Sequence, residues 1–466
     1  MKVELGKNRI SMVELAELCG GRVVCRANSS QTFSSLCTDS READVNTLFC
    51  AMKGERVDGH DYICKAYELG CRCVLCERVP TEQETSDTVF VVVPDTVRAM
   101  NALASAYYQN RDFKVIAVTG SVGKTTTKEF VASALPKDST YRTRGNFNSV
   151  IGFPLSFLEI PLDTRYAVLE MGMSGRGEIE LMSETAKPDI AIITNVGTSH
   201  LELLGTRENI RDAKLEIIKE LSPDGVLLIN GDNDMLADCS VGVRTLRVGI
   251  ERKTNDYRAV NIVEALGKTS FDIVTAQKTV KQIEIPTIGK HNIYNAMFAY
   301  VAASLLGVDE NEIRSGLSRF EKPQMRQNIY GIGNITIIED CYNASPESVK
   351  AALEVQRSIV KEKGGRAVAL LGDMLELGQT SETLHEEVGE YAAKCGVSAL
   401  LTYGRLAENI AKGAKIEGTV SVTDTNDPES AANELMNILR SGDVLLVKAS
   451  RGVAAEKVIE IIKKRM

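Results

Sequence analysis

The sequence predicts an α/β protein of three domains. They are a small N-terminal α/β domain (residues 1–112), a central parallel-sheet ATPase domain with a P-loop (113–321), and a Rossmann-like, doubly wound C-terminal domain (322–466). Three observations carry that expectation. Length is the first, since 466 residues make about three domains at roughly 150 residues each. Alternation is the second: short apolar, β-branched runs recur between stretches of helical spacing, as in parallel sheets covered by helices. The third is Lys114–Leu135, where a buried-strand pattern, two glycines and a helix headed by Lys-Thr-Thr follow one another.

In the first domain, Ser11-Met-Val-Glu14 is a capping box that opens a helix with Leu15 and Leu18 on one face. Thr38–Arg41, Lys53-Gly54-Glu55 and Asp58-Gly59-His60-Asp61 are polar, turn-rich segments between apolar runs. Such loops carry ligands or are simply solvated turns. Val89–Val93 reads as a buried strand stopped by Pro94, and a helix from Thr96 to Gln109 leads onward.

The central domain opens on Val115–Val118, apolar and β-branched, as a strand buried on both faces requires. Gly120 and Gly123 follow, with only Ser121 and Val122 between them, where the ordinary P-loop has four residues. Glycines let backbone N–H groups close on phosphate oxygens, and the helix N-terminus adds partial positive charge. Lys124 can reach the β- and γ-phosphates, and the Thr125 hydroxyl can ligate Mg²⁺. Arg165–Glu170, Asp189–Asn195 and Gly225–Asn230 are further strands. Ligands gather at the carboxyl ends of such strands; Glu170 and Asn195 stand there, with His200 five residues on. A helix over Glu208–Leu221 carries an apolar stripe at Ile210, Ile217 and Leu221, and Lys214 falls on it. An inward lysine is unfavourable unless paired, neutral or modified; snorkelling past the stripe to water is the alternative.

In the third domain, Asn334–Asp340, Arg366–Leu371, Ala399–Tyr403 and Asp443–Lys448 read as strands. Ser345-Pro346-Glu347 starts a helix, with serine as cap and proline in the first turn. The first strand–helix turn here has no glycine fingerprint, which argues against a second dinucleotide site.

Composition excludes some functions. A net charge of −8 and a pI near 5.4 argue against a nucleic-acid-binding surface. No apolar run approaches the roughly 18 residues of a membrane span, and the first ten residues have no signal-peptide core. A cytoplasmic protein, without membrane insertion and monomeric, is expected. Eight of the eleven cysteines precede residue 77, densest at Cys71-x-Cys73-x-x-Cys76. With no second pair at zinc spacing and His60 isolated, buried reduced thiols are the simpler reading.

Together, several stretches resemble the Mur ligases, ATP-dependent amide-forming enzymes of peptidoglycan precursor synthesis. They are Thr119–Thr126, Asn195-x-x-x-x-His200, Lys290-His291-Asn292-x-x-Asn295, Arg326 and Asp340–Pro346. The short loop matches that family's, which accounts for its departure from ordinary spacing. Within the family, Asn146–Pro154, Glu170-Met-Gly172, Gly177-Glu178-Ile179 and Leu371–Gly378 carry a closer match, to the branch whose substrates are a UDP-N-acetylmuramoyl-tripeptide and D-alanyl-D-alanine. The Asp-Asn-Pro-Arg motif of the diaminopimelate-adding branch is missing, and Asn426-Asp427-Pro428 does not fit it.

The resemblance implies that ATP activates a carboxylate as an acyl phosphate, which an amine then displaces. It implies a nucleotide loop of Gly120, Ser121, Val122, Gly123, Lys124, Thr125 and Thr126, with Asn292 as a further nucleotide residue. Asn295 faces the adenine, Asp340 the ribose and Arg326 the γ-phosphate in that reading. Mg²⁺ falls to Thr125 and Glu170, a second Mg²⁺ to His200, and Lys214 corresponds to a lysine that CO₂ converts to a carbamate able to bind metal. Lys124, His200 and Lys214 are its catalytic set. The first domain binds the UDP-sugar and the third the dipeptide. Two rivals share features with it: a folylpolyglutamate synthase, and a P-loop switch protein that leaves the first domain and Lys214 unexplained.

Overall fold

The computed structural model describes residues 2–6, 9–25, 31–54, 57–80, 87–265, 267–416 and 421–465. They form two compact units, each discontinuous in sequence. One comprises Met1–Thr119, Lys137–Ala191 and Leu215–Val226; the other comprises Gly120–Pro136, Ile192–Lys214 and Leu227–Met466.

The first unit holds a six-stranded sheet in the order Lys2–Glu4, Ser35–Cys37, Thr47–Cys50, Cys73–Cys76, Val89–Val92, Arg22–Val24. The four inner strands are parallel and the two edges antiparallel. Cys37, Phe49, Ile63, Cys71, Val74 and Cys76 fill one core. Burial pushes the Cys73 and Cys76 thiols up to about 12, so they pack as small apolar groups. Among the described residues no group of three His, Cys, Asp or Glu side chains could hold a metal. His60 is built into a turn: its Nε2 accepts the Glu77 N–H at 2.9 Å and its Nδ1 lies 2.6 Å from Asp58 Oδ1. Glu55, in the neighbouring polar segment, lies outside the described residues.

Two details differ from the sequence reading. Ser11 does cap the helix Met12–Cys19 by accepting the Glu14 N–H, but Leu18 is exposed. The buried stripe is Met12, Leu15 and Ala16, and at 100° per residue Leu18 points well off it. The Lys214 helix ends at Leu215, and Glu216–Ile218 tightens into a 3₁₀ turn. There the Glu216 carboxylate accepts the Gly177 N–H at 2.9 and 3.0 Å. The first unit also contains the strands Thr140–Arg142, Tyr166–Glu170 and Lys114–Thr119, all parallel.

In the second unit, 227–230, Thr245–Gly249 and Tyr257–Ala265 run parallel. The sheet then continues antiparallel through Lys268–Val274 and Thr279–Ile285. The sequence reading placed no strands between 231 and 288. Buried and more exposed residues alternate along Lys268–Val274, so that strand escapes a search for continuous apolar runs. Residues 328–448 contribute a six-stranded sheet in the order Asn328–Ile332, Ile335–Glu339, Val444–Lys448, Ala367–Gly372, Val397–Tyr403, Ser421–Thr425. All neighbours are parallel except the opening hairpin, and a core lies on each face. The last strand in sequence sits in the middle, as doubly wound sheets require.

The helix Lys124–Ser133 is seated by Phe130, whose ring stacks on Phe320 at 3.5 Å, and by the helix Glu310–Ser318. Gly316 of that helix packs on the Ser133 carbonyl, and a Cβ there would strike it. Gly316→Ala is therefore expected to lower stability by about 1–3 kcal/mol through forced separation of the two helices. Urea unfolding checks this, and an unchanged midpoint would contradict the packing.

Candidate functional site

The phosphate loop starts where the strand Lys114–Thr119 ends. Gly120 has φ +150°, and a Cβ on it would run into Thr194 Oγ1. Gly123, φ +86°, caps the helix Lys124–Ser133 in the left-handed region. Both positions require glycine. Thr194 Oγ1 donates to the Val122 carbonyl at 2.6 Å. Asn195 accepts the Val122 N–H on its side-chain oxygen at 2.9 Å and the Ser121 N–H on its carbonyl at 3.1 Å. Lys124 Nζ donates to the Gly120 carbonyl at 2.8 Å, which holds its ammonium over the loop. A helix N-terminus with this lysine is an anion cradle.

Beneath the loop, Asn295 is buried and its Oδ1 accepts from Thr127 Oγ1 at 2.9 Å. Asn292, also buried, donates through Nδ2 to the Gln327 side chain at 2.8 Å and the Ile288 carbonyl at 2.9 Å. Gln327 in turn donates from Nε2 to the Ile288 carbonyl at 2.8 Å. These two asparagines act as girders under the loop. Arg326, between Met325 and Gln327 of positive φ, donates to Thr125 Oγ1 at 3.1 Å and stacks over the Tyr342 ring at 4.2 Å. A guanidinium thus stands at the head of the phosphate-loop helix.

Asp340 accepts the Gln327 N–H on Oδ1 at 3.2 Å and the Lys448 ammonium on Oδ2 at 2.7 Å. Lys448 is a residue that the sequence reading missed, although its place at the carboxyl end of a strand was a usable signal. Thr194, one residue before the flagged Asn195, was missed too. His200 sits at φ +67°, with Nδ1 2.6 Å from Glu376 Oε2. That contact draws the Glu376 carboxyl below its ordinary range.

Lys214 is 1% exposed, and among the described residues no carboxylate or hydrogen-bond acceptor meets its ammonium. Two other lysines are as deeply buried, and each has a carboxylate: Lys128 lies 3.2 Å from Glu129, and Lys448 bonds Asp340. Burial, and then the like charge of Lys124, drive the Lys214 pKa well below the lysine value. The snorkelling alternative is thereby set aside. Burial and the neighbouring Lys124 charge both disfavour its protonated form.

Glu170 belongs to the first unit and is 2% exposed. Asn148 Nδ2 donates to its Oε1 at 2.8 Å, and its own N–H donates to Thr143 Oγ1 at 3.0 Å. Gly172 N–H donates to the Asn148 carbonyl at 2.7 Å. The two motifs Asn146–Pro154 and Glu170-Met-Gly172 are thus one structural piece that fixes the carboxylate. All the other predicted site residues belong to the second unit. Glu170 and Thr125 offer oxygen donors, which suit Mg²⁺; an imidazole such as His200 suits it less well.

A glycine loop feeding a helix N-terminus, with a lysine folded over it and an arginine at its head, defines an α/β nucleotide-phosphate-binding protein. The chain matches the Mur ligase middle domain over residues 118–303, the Mur ligase glutamate ligase domain over 323–451, and the Mur ligase family catalytic domain over 32–108. It is 39% identical to the UDP-N-acetylmuramoyl-tripeptide–D-alanyl-D-alanine ligase of Bacillus subtilis (strain 168), over 96% of each chain. Among solved structures, MurF from Acinetobacter baumannii superposes with a TM-score of 0.88 at 30% identity, covering 98% of this chain and 99% of that one. MurF ligase from Thermotoga maritima, solved in complex with ADP, has a TM-score of 0.81 at 30% identity, covering 92% and 97%. The chain belongs to the Mur ligase family, and its three-domain α/β fold is that of these structures.

The lowered pKa of Lys214 has a stability signature. The unfolded lysine holds its proton up to about pH 10.4, whereas the folded one has lost it at lower pH. The unfolded state therefore binds more protons between the two values, and folding is penalised increasingly as pH falls below 10.4. Lys214→Met should raise stability at pH 7 in CO₂-free buffer, and by less near pH 10.5. Denaturant titrations at the two pH values check this; destabilisation at pH 7 would mean that the lysine is paired.

Proposed function

We propose that this protein is an ATP-dependent, ADP-forming amide ligase. It joins D-alanyl-D-alanine to UDP-N-acetylmuramoyl-tripeptide and yields the UDP-N-acetylmuramoyl-pentapeptide precursor of peptidoglycan. The observation that carries the reading is the similarity to a ligase named for this reaction over 96% of both chains, with the phosphate loop built as described. The proposed division of labour gives residues 1–112 the UDP-sugar, 113–321 the ATP and 322–466 the dipeptide. The enzyme works in the cytoplasm as a monomer. No helix among the described residues is long and apolar enough to cross a membrane.

In this reading the backbone N–H groups of Gly120–Gly123 and the Lys124 ammonium hold the phosphates of ATP, with Thr126 beside them at the helix start. Asn292 and Asn295 support the loop from beneath and border the nucleotide, Asp340 takes the ribose hydroxyls, and Arg326 neutralises the γ-phosphate. Thr125 and Glu170 would offer oxygens, and His200 a nitrogen, to Mg²⁺, which would supply charge that screens the phosphate oxygens. A carboxylate oxygen of the tripeptide attacks the γ-phosphorus and the bond to ADP breaks, leaving an acyl phosphate. The dipeptide amine then attacks the acyl carbon, phosphate departs with that oxygen, and the amine loses a proton. Positioning and charge neutralisation do most of the work.

Lys214 enters as an anion in this mechanism. Its neutral Nζ adds to the carbon of CO₂, an N–C bond forms and a proton leaves, so a cation becomes a carbamate able to bind metal. Burial without a partner supports this role, because an ammonium there is disfavoured. Lys214→Ala should lose activity, and millimolar acetate or formate should restore part of it by filling the vacated anion position. No rescue, together with no carbamate carbon signal from the wild type in ¹³C-bicarbonate, would refute the modification.

The acceptor is tested by phosphate release with UDP-N-acetylmuramoyl-tripeptide and ATP, comparing D-alanyl-D-alanine, D-alanine, L-lysine and diaminopimelate. The dipeptide should be the best acceptor. Related small dipeptides should follow, slower by roughly ten- to two-hundred-fold per methylene-sized difference. A single amino acid that outruns an inert dipeptide would overturn the assignment, and phosphate release independent of any amine would favour a switch protein.

A further inference from the structure

The loop Thr194–Ser199 lies against the phosphate loop and is tied to it at five points: Thr194 to Val122, Asn195 to both Ser121 and Val122, the Gly197 N–H to Ser121 Oγ at 3.0 Å, and Ser199 Oγ to the Ser121 carbonyl at 3.5 Å. From behind, Arg207 donates to the Val196 carbonyl at 2.9 Å. Asn233 Nδ2 donates to the same carbonyl at 3.2 Å, and a further grip comes from far along the chain. Glu347, in the first turn of the helix Pro346–Lys363, accepts the Thr198 N–H on Oε1 at 2.9 Å. It also accepts the Thr198 hydroxyl, at 3.1 Å on Oε1 and 3.3 Å on Oε2. Three charge-assisted contacts on one carboxylate are a specific seat.

We propose that Glu347 is a positioning residue for the ligase reaction. Its carboxylate, carried by the segment 323–451 that matches the glutamate ligase domain, clamps Thr198 and so stiffens the loop that shapes Ser121 and Val122. Seating of the acceptor-binding segment is thereby communicated to the phosphate loop through two hydrogen-bonded steps. Nothing in the motif Ser345-Pro346-Glu347 requires this, since Ser345 caps the helix and closes a box with Ser348. A first-turn glutamate would serve the helix dipole equally well while facing water; here it faces Thr198.

Gly197 supplies an independent sign of the same seat. A Cβ on Gly197 would stand 2.7 Å from Glu347 Cδ and 3.0 Å from its Oε2, with Glu347 atoms making up all three nearest neighbours. Alanine at 197 would therefore push the carboxylate off Thr198, and it would be harmless if the carboxylate were already gone. That makes a double-mutant cycle diagnostic.

The inference rests on the ligase reading only for one of its two readouts. Glu347→Ala, Gly197→Ala and the double variant are compared with wild type in kcat and KM for acceptor-dependent phosphate release. In parallel, the affinity of each for a non-hydrolysable ATP analogue is measured by calorimetry. Each single change should lower kcat/KM by about tenfold, the size of a lost charge-assisted hydrogen bond, mainly through kcat. The double variant should fall no further than the worse single one, nucleotide affinity should show the same non-additivity, and Glu347→Gln should recover part of the loss. Losses that multiply in the double variant, or a silent Gly197→Ala, would overturn the proposal. Wild type without acceptor-dependent phosphate release would instead refute the ligase reading, and the cycle on nucleotide affinity would still decide the role of Glu347.

Discussion

The phosphate loop keeps its shape because Gly120 passes within contact of Thr194, where a Cβ would collide. Every other feature of the second unit's site is fastened to that approach. It brings Asn195 to the Ser121 and Val122 amides, sets Gly123 to cap the helix, and leaves the Lys124 ammonium folded over the loop. The shortened glycine spacing fits this arrangement. A longer loop would wrap its phosphate with more of its own backbone, whereas here part of the wrapping is delegated to the neighbouring segment, which holds the loop from outside.

Electrostatics then decides what the site can do. Four basic side chains, Lys124, Arg326, Lys214 and Lys448, belong to the unit that holds the loop. Two have been given a task by their neighbours: Lys448 is spent on Asp340, and Arg326 reaches Thr125 from the face of Tyr342. Lys214 alone among the deeply buried lysines of the described residues lacks a carboxylate, and Lys124 repels its proton. Loss of that proton is the cheapest relief, since a buried, unpaired ammonium is far costlier than a buried amine. The same desolvation that depresses its pKa makes its lone pair available for chemistry.

Much of this was legible in the sequence. Lys214 could be placed inward because helical spacing sets it between Ile210 and Ile217, both buried, and the loop could be placed because glycines, strand and helix must come in that order. Leu18 and the end of the Lys214 helix could not: the first depends on how a short helix rolls, the second on a carboxylate, Glu216, that bonds amides at Gly177. The strands Lys268–Val274 and Thr279–Ile285 hid because their buried residues are interrupted by more exposed ones. Lys448 and Glu347 were invisible as site residues for another reason. Each acts on residues about a hundred or more positions away, and a single sequence holds no record of which distant segments meet.

The central claim is that a carboxylate, activated by phosphoryl transfer, is the electrophile to which the dipeptide amine adds. The most direct measurement is oxygen transfer. UDP-N-acetylmuramoyl-tripeptide labelled with ¹⁸O in its reacting carboxylate is turned over with ATP and D-alanyl-D-alanine, and the inorganic phosphate is analysed by mass spectrometry or ³¹P NMR. Each phosphate released should carry one carboxylate oxygen, because that oxygen attacks phosphorus and leaves with it. Unlabelled phosphate formed alongside the pentapeptide would contradict the account.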